Sequence, residues 1–423
     1  MTDAATFHRE VAEALQARYG GSQRAPEGWR EVQAWHWEQA GAYPEAAGVA
    51  LEVAEGYVGR LDFIGARLWA RRTLELLERL DAATRTRFDP RACALALAVL
   101  EFGGQYREGL DYARRMLRAA RAGQNRDAEI RALLAVGRMQ RELGLLAEAE
   151  ETLTRARALA EQGGQVELES EARVHLAKVY QLQGRNLEGL QELQLAQEEP
   201  ALSDDQVRLA RVLTGIGDIY RVLGATREAL LFYTRALSLE QGRGSLIGQA
   251  ILREKLALTL LAQGKLPEAR DSAEESLRLR QVIGDTIGQA RSYSVLGTIT
   301  GRMGDHAQAL QYHEQARALD EQTQNRRGEG VALLHLGDEA RATGDIAQAR
   351  THYARALRLA QQMRDQVASA RSLERLGDLN AAAGQREAAS ACWSEALRIR
   401  ETLGHADEAA ALRERIRTGQ PPG

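Results

Sequence analysis

The chain has 423 residues, 44% of them hydrophobic and 27% charged, with seven prolines and a formal net charge of -3. So balanced a charge excludes overall electrostatics as a basis for non-specific binding to nucleic acid or an anionic membrane. The wealth of Ala, Leu, Arg, Glu and Gln is the composition of a nearly all-helical chain. Cys93 and Cys392 lie far apart and read as small core residues. No run approaches the roughly 18 apolar residues of a membrane span, and no signal-peptide core is present, so a cytoplasmic location without membrane contact is expected.

Phe7, Val11, Leu15 and Tyr19 fall four apart and predict an amphipathic helix over residues 3 to 19, stopped by Gly20-Gly21. After a loop over 21 to 28, residues 29 to 40 predict a second helix carrying Trp29, Val32, Trp35 and Trp37. Gly41 opens a turn, and Pro44, tolerated at a first helical position, marks the next helix. A longer helix is expected from about Phe63 to Leu80. This first part is out of register with the regular spacing of the later chain.

Gly104, Gly144, Gly184, Gly224, Gly264, Gly304, Gly344 and Gly384 recur every 40 residues, each succeeded five residues later by Gly or Ala, as in Gly224-Ala-Thr-Arg-Glu-Ala229. A spacing without slip means a stacked repeat. From about residue 90 each unit predicts helix A, the glycine turn, helix B and a second turn, with helices of roughly 15 to 17 residues. Asn125, Asp205, Ser245, Asp285, Asn325 and Asp365 share one place in the second turn, where their side chains cap helix N-termini; Gln165 and His405 are the exceptions. Within helix A, Gly137, Gly217, Gly297, Gly337 and Gly377 recur seven residues before the turn, replaced by Ala at 177 and 257. Interior Gly costs about 1 kcal/mol relative to Ala, so its repetition predicts a close helix approach. Leu153, Leu193, Tyr233, Ala273, His313, Tyr353 and Trp393 mark the matching place in helix B, three residues before an Ala or Ser. Pro200 is expected to end its helix about a turn early, giving a bend or a hinge. A charged helix over about 406 to 417 should cover the last repeat.

Leu213, Ile216, Gly217, Tyr220, Gly224, Ala229, Tyr233 and Ala236 together resemble the tetratricopeptide repeat consensus. The resemblance covers about residues 90 to 404. It implies an all-α, right-handed superhelical solenoid of antiparallel helix pairs. The 40-residue period is similar to the long-helix subclass of mitotic spindle-orientation adaptors and bacterial peptide-sensing regulators. Residues 7 to 80, with His36-Trp37-Glu38-Gln39-Ala40-Gly41 and then Ala46, resemble more loosely the helical segment of bacterial STAND-type signalling ATPases, although no GxxxxGK[ST] phosphate loop occurs. The expected organisation is an irregular helical subdomain or cap over 1–88, about eight repeats over 89–404, and a capping helix and tail over 405–423.

In that family the concave face is lined by the second, ninth and twelfth positions of helix A. The resemblance thus implies a binding groove formed by Arg131, Arg138 and Arg141, then Lys178, then Arg211, Asp218 and Arg221. Ile251, Leu258 and Leu261 would form an apolar patch, and beyond it would stand Arg291, Asp338 and Arg341. Gly-Asp pairs such as Gly217-Asp218 and Gly337-Asp338 sit on helices along this line, where binding fits better than acid-base chemistry. The eight histidines show no HExxH or Cys/His metal spacing. The reading is a non-enzymatic scaffold or adaptor, with no catalytic residues and no cofactor or metal, that binds a protein or extended peptide, acidic with an apolar anchor, and no nucleic acid directly. The alternative is a ligand- or peptide-sensing module of a STAND-type signalling or transcription-control system. Oligomeric state is left open.

Overall fold

The computed structural model describes residues 3–22, 25–60, 62–102, 105–198 and 205–420, without the side chains of 63, 82, 83, 85–90 and 102. Gly104 and Pro200 lie outside the described residues. Among those described there are helices and turns and no strand, and no helix is long and apolar enough to cross a membrane. The chain divides into two compact units, Met1–Met139 and Gln140–Gly423.

The first unit holds α1 (Ala4–Tyr19), α2 (Trp29–Gln39), α3 (Tyr43–Gly59), α4 (Phe63–Glu78), α5 (Ala82–Phe102), α6 (Tyr106–Ala122) and most of α7 (Arg126–Glu142). Its core is built from Ala46, Ala50, Leu51, Leu74, Leu77 and Cys93, with Trp37 and Trp69 packed on its edge. Helix α5 starts at residue 82, eight residues before the sequence pattern suggested, because its leading Ala-Ala-Thr-Arg-Thr-Arg stretch carries no periodic apolar stripe yet contains no helix breaker. Pro44 is the second residue of α3, one place later than expected, and Pro267 is likewise the second residue of its helix, Leu266–Ile283. Either place is free of an intrahelical N–H bond, so neither proline costs one.

The second unit continues with α8 (Leu146–Gln162), α9 (Val166–Leu182), α10 (Asn186–Gln197), α11 (Gln206–Val222), α12 (Thr226–Gly242), α13 (Leu246–Ala262) and α14 (Leu266–Ile283). Next come α15 (Thr286–Arg302), α16 (His306–Gln322), α17 (Arg326–Ala342), α18 (Ile346–Met363), α19 (Gln366–Ala382), α20 (Arg386–Thr402) and α21 (Ala406–Thr418). Each packs mainly on its chain neighbours. Helix α10 has 12 residues where α8, α9 and α11 have 17.

The turns arise from backbone chemistry. Gly144, Gly184, Gly224, Gly264, Gly304, Gly344 and Gly384 all have φ between 74 and 90°, a region that a Cβ disfavours. Twenty residues on, a second left-handed place closes every described helix B except α10, taken by Gly164, Gly244, Gly284 and Gly404 but also by Gln124, Gln324 and Arg364. All six capping residues accept a backbone N–H three residues ahead, at 2.8 to 3.2 Å, while Gln165 and His405 make no such bond. Asp305 and Asp345 cap the B helices α16 and α18 in the same way.

The interior glycines make room for rings. A Cβ on Gly217 would stand 2.6 Å from Tyr233, and one on Gly297 or Gly377 would stand 2.5 Å from His313 or Trp393. Gly337 faces Tyr353 in the same way. Where helix B carries Leu193 or Ala273 instead of a ring, helix A carries Ala177 or Ala257, whereas the Leu153 hairpin keeps Gly137.

Candidate functional site

In the second unit α9 touches α11, α13 touches α15, α15 touches α17 and α17 touches α19, so the first helices of successive hairpins share one face. Three carboxylates on that face are held identically. Tyr233 donates its hydroxyl to Asp218 at 2.7 Å, and Lys255 on the next hairpin places its ammonium 2.6 Å from the same oxygen. Tyr353 donates to Asp338 at 2.7 Å, and Arg375 lies 2.9 Å from that carboxylate. Trp393 donates its indole N–H to Asp378 at 3.0 Å, with Arg415 of α21 at 3.2 Å. The ring partner comes from helix B of the same hairpin, 15 residues on, and the cation from the next, 37 residues on. Burial, then the nearby carboxylate, raises the pKa of Tyr233 and Tyr353, so both stay hydroxyl donors. Because Arg415 fills the third cation place, α21 continues the array as another first helix and is more than a polar cap.

Two hairpins depart from this ladder. Thr298, His313 and His335 replace carboxylate, ring and cation: the Nδ1 of His335 stands 3.3 Å from both Ser294 and Thr298, and its ring meets His313 edge-on at 4.9 Å between centroids. Burial, reinforced by His335, lowers the pKa of His313 to about 3, and burial lowers that of His335 as well. Both rings are therefore neutral at physiological pH. Leu258, Ala273 and Val295 fill the corresponding places with apolar groups only.

The ladder changes sign at its early end. Lys178 stands where three later hairpins have Asp, and makes no hydrogen bond or ion pair among the described residues. Burial lowers its pKa to about 8, helped by Arg141 and Lys255 and opposed by Asp218 and Glu142. Arg141 is held by Glu142 at 2.6 Å and lies 3.5 Å from His175. Glu142 also meets Arg327 of α17 at 3.2 Å, a contact across 185 residues, and Arg327 lies 3.7 Å from Asp365. A Cβ on Gly144 would sit 3.3 Å from Leu403. The first turn of the second unit thus rests on its late repeats.

The other groove residues expected from the sequence stand in different settings. Arg131 and Arg138 belong to the first unit, where Arg131 is exposed and Arg138 pairs with Glu101 at 3.1 Å. Arg211, Arg291 and Arg341 are exposed, and Arg221 approaches the Tyr233 hydroxyl. Ile251 is 37% exposed, whereas Leu258 is half-buried and Leu261 packs beside the Ala257, Ala273 and Ile299 core. Asp218 and Asp338 stand on the same face as groove residues but are each already matched by an internal cation. The sequence reading missed those cations, Lys255 and Arg375, although the acid-to-base offset of 37 residues repeats three times and was open to detection.

This is the architecture of a helical-hairpin repeat protein with a polar face on its first helices. Residues 248–322 match the tetratricopeptide repeat family, and the chain is built on the tetratricopeptide repeat fold. No curated protein matches the chain. Solved structures share the fold at low identity. The quorum sensor NprR from B. thuringiensis, in its apo form, is 14% identical with a TM-score of 0.54, the match covering 84% of this chain and 97% of that one. A Rap protein complexed with competence and sporulation factor is 14% identical, TM-score 0.50, over 89% and 98% of the two chains. A STAND signal-transduction ATPase with a tetratricopeptide repeat sensor, from Pyrococcus horikoshii, is 14% identical, TM-score 0.51, over all of this chain and 65% of its own.

Proposed function

We propose that the protein is a non-enzymatic scaffold whose first-helix face binds an extended, acidic protein segment bearing an apolar anchor. The observation that carries this is a row of charged side chains repeating at fixed spacing in the second unit, in which the acidic places are internally matched while Lys178, Arg211 and Arg291 have no matching partner among the described residues. What remains available on the helix A positions is therefore basic, beside the exposed Ile251. Guanidinium–carboxylate contacts in an open groove are worth about 1 kcal/mol each, so several must act together. The structural likeness to a Rap protein complexed with competence and sporulation factor, and to a quorum sensor, supports a peptide as the partner class.

Affinity capture with mass spectrometry identifies the partner, and its binding is then measured against salt. Affinity should fall as ionic strength rises, and Arg211→Glu with Arg291→Glu should weaken binding at least tenfold without lowering the melting temperature. A partner held equally well by that double variant places binding on another surface. A second reading, a sensor within a larger signalling system, is favoured by the Glu142–Arg327 contact, which ties the start of the second unit to its late repeats. A ligand that spreads or tightens the repeats would change that contact.

A further inference from the structure

A cleft of about 400 Å³, open mouth included, lies between α17, α18 and the start of α19. Its walls are aliphatic, from Val331, Leu334, Met363 and Val367, and its polar edge carries Arg327, Asp365, Arg371 and Ser372. Arg371 has the most unusual electrostatic surroundings on this edge. It keeps an exposed edge yet makes no hydrogen bond or ion pair among the described residues, and its charge is crowded by Arg327 and Arg400. Those two are engaged: Arg327 by Glu142 and Asp365, and Arg400 by Glu374 at 2.9 Å and His405 at 3.1 Å. Desolvation first, and then the two neighbouring guanidiniums, lower the pKa of Arg371. An unmatched guanidinium among like charges is relieved by an anion, and its planar fork suits a carboxylate.

We propose that this cleft binds a monocarboxylate carried on a short branched aliphatic chain, with the carboxylate on Arg371 and the chain between Val331, Leu334 and Met363. The three arginines are offset by Asp365 and Glu374, which leaves one positive charge to answer, and Glu142 is balanced by Arg141. A single negative charge fits that remainder, whereas a phosphate dianion would face two carboxylates. Because that volume includes the open mouth, only a short aliphatic end can seat against the wall. The carboxylate has two possible sources, a free acid or the aliphatic C-terminal residue of a peptide. The inference does not depend on the basic positions of α11 and α15, so the Arg211/Arg291 variant should leave it intact.

The test is calorimetry and ligand-observed NMR on the full chain with 4-methylpentanoate, its methyl ester, and a short peptide ending in Leu with a free or amidated terminus. The acid or the free-ended peptide should saturate one site, and the ester and amide should not. Binding of both charged probes assigns the free acid as sufficient; binding of the peptide alone assigns the chain terminus. Arg371→Gln should weaken the charged probe at least tenfold. Gly330→Leu should do the same by filling the cleft, since a Cβ there meets only Leu359, at 3.8 Å, and the fold can accommodate it. Unchanged affinity in Arg371→Gln, equal binding of ester and acid, or no binding of either charged probe overturns the proposal.

Discussion

Gly224 and Gly242 differ in one torsion angle, and that difference sets their tolerance. Gly224 has φ of 74°, while Gly242 is the last residue of α12 and has no left-handed backbone. Neither has a heavy atom within 4 Å of a hypothetical Cβ, so sterics with neighbours cancel in the comparison. Gly224→Val should therefore destabilise by more than about 1 kcal/mol and Gly242→Val by less, read from urea melts of the two variants. Asp320 supplies a pH test. It is 4% exposed, hydrogen-bonded to Asn325 at 2.7 Å, and burial raises its pKa to about 7, with Arg291 opposing and Glu329 assisting. Between about pH 4 and 7 the folded chain holds a proton there that the unfolded chain has lost, so this carboxyl's contribution is present below about pH 4 and disappears as pH rises to 7. Asp320→Asn should flatten that part of the pH–melting curve and raise stability at pH 8; an unaltered slope would refute the assignment. The 40-residue glycines were legible because few other residues accept a left-handed φ. The second left-handed place was not, because Gln124, Gln324 and Arg364 occupy it against that preference.

Between helices, the ring-for-glycine exchange is the feature that a double-mutant cycle can measure. Gly217→Ala alone forces a methyl against Tyr233 and should cost about 1–3 kcal/mol. Tyr233→Leu alone leaves a void and takes the hydroxyl from Asp218. Together they reproduce the Ala177/Leu193 hairpin already present in the chain, so the pair should cost less than the sum by at least about 0.5 kcal/mol. Strict additivity would mean that the two sites do not share space. Capping at the second turns was readable from residue type alone, since a local side chain bonds a backbone three residues away. The carboxylate ladder was harder to read because its partners lie in different helices and carry three different donors, Tyr, Trp and a cation. The candidate groove was legible as a set of positions, but not as a set of available charges, since Asp218 and Asp338 are matched from within.

At the scale of the whole chain, nearest-neighbour packing predicts graded rather than total loss on truncation. Removing residues 366 to 423 strips Leu376 and Leu379 from the core of Ala340, Ala349 and Tyr353, and takes Arg375 from Asp338. The remainder should stay helical by circular dichroism but melt lower; collapse of all helicity would indicate one indivisible core. The Glu142–Arg327 contact is separately testable. Arg327→Glu should loosen the second unit, seen as faster hydrogen exchange near residues 140 to 146, and Glu142→Arg in the same chain should restore protection. We propose segment boundaries of the repeat pattern at 88/89, within α5, and at 404/405, in the turn before α21; limited proteolysis should cut at 404/405 in preference to the helical 88/89. The carboxylate ladder also makes the hairpins non-interchangeable. Asp218 needs a Lys or Arg on the hairpin next in the chain, whereas the Leu258 hairpin precedes Val295 and the Thr298 hairpin precedes His335. Shuffling two units of equal length would preserve every glycine and cap and still strand a carboxylate beside an apolar neighbour, so the order of the modules is itself encoded, one junction at a time.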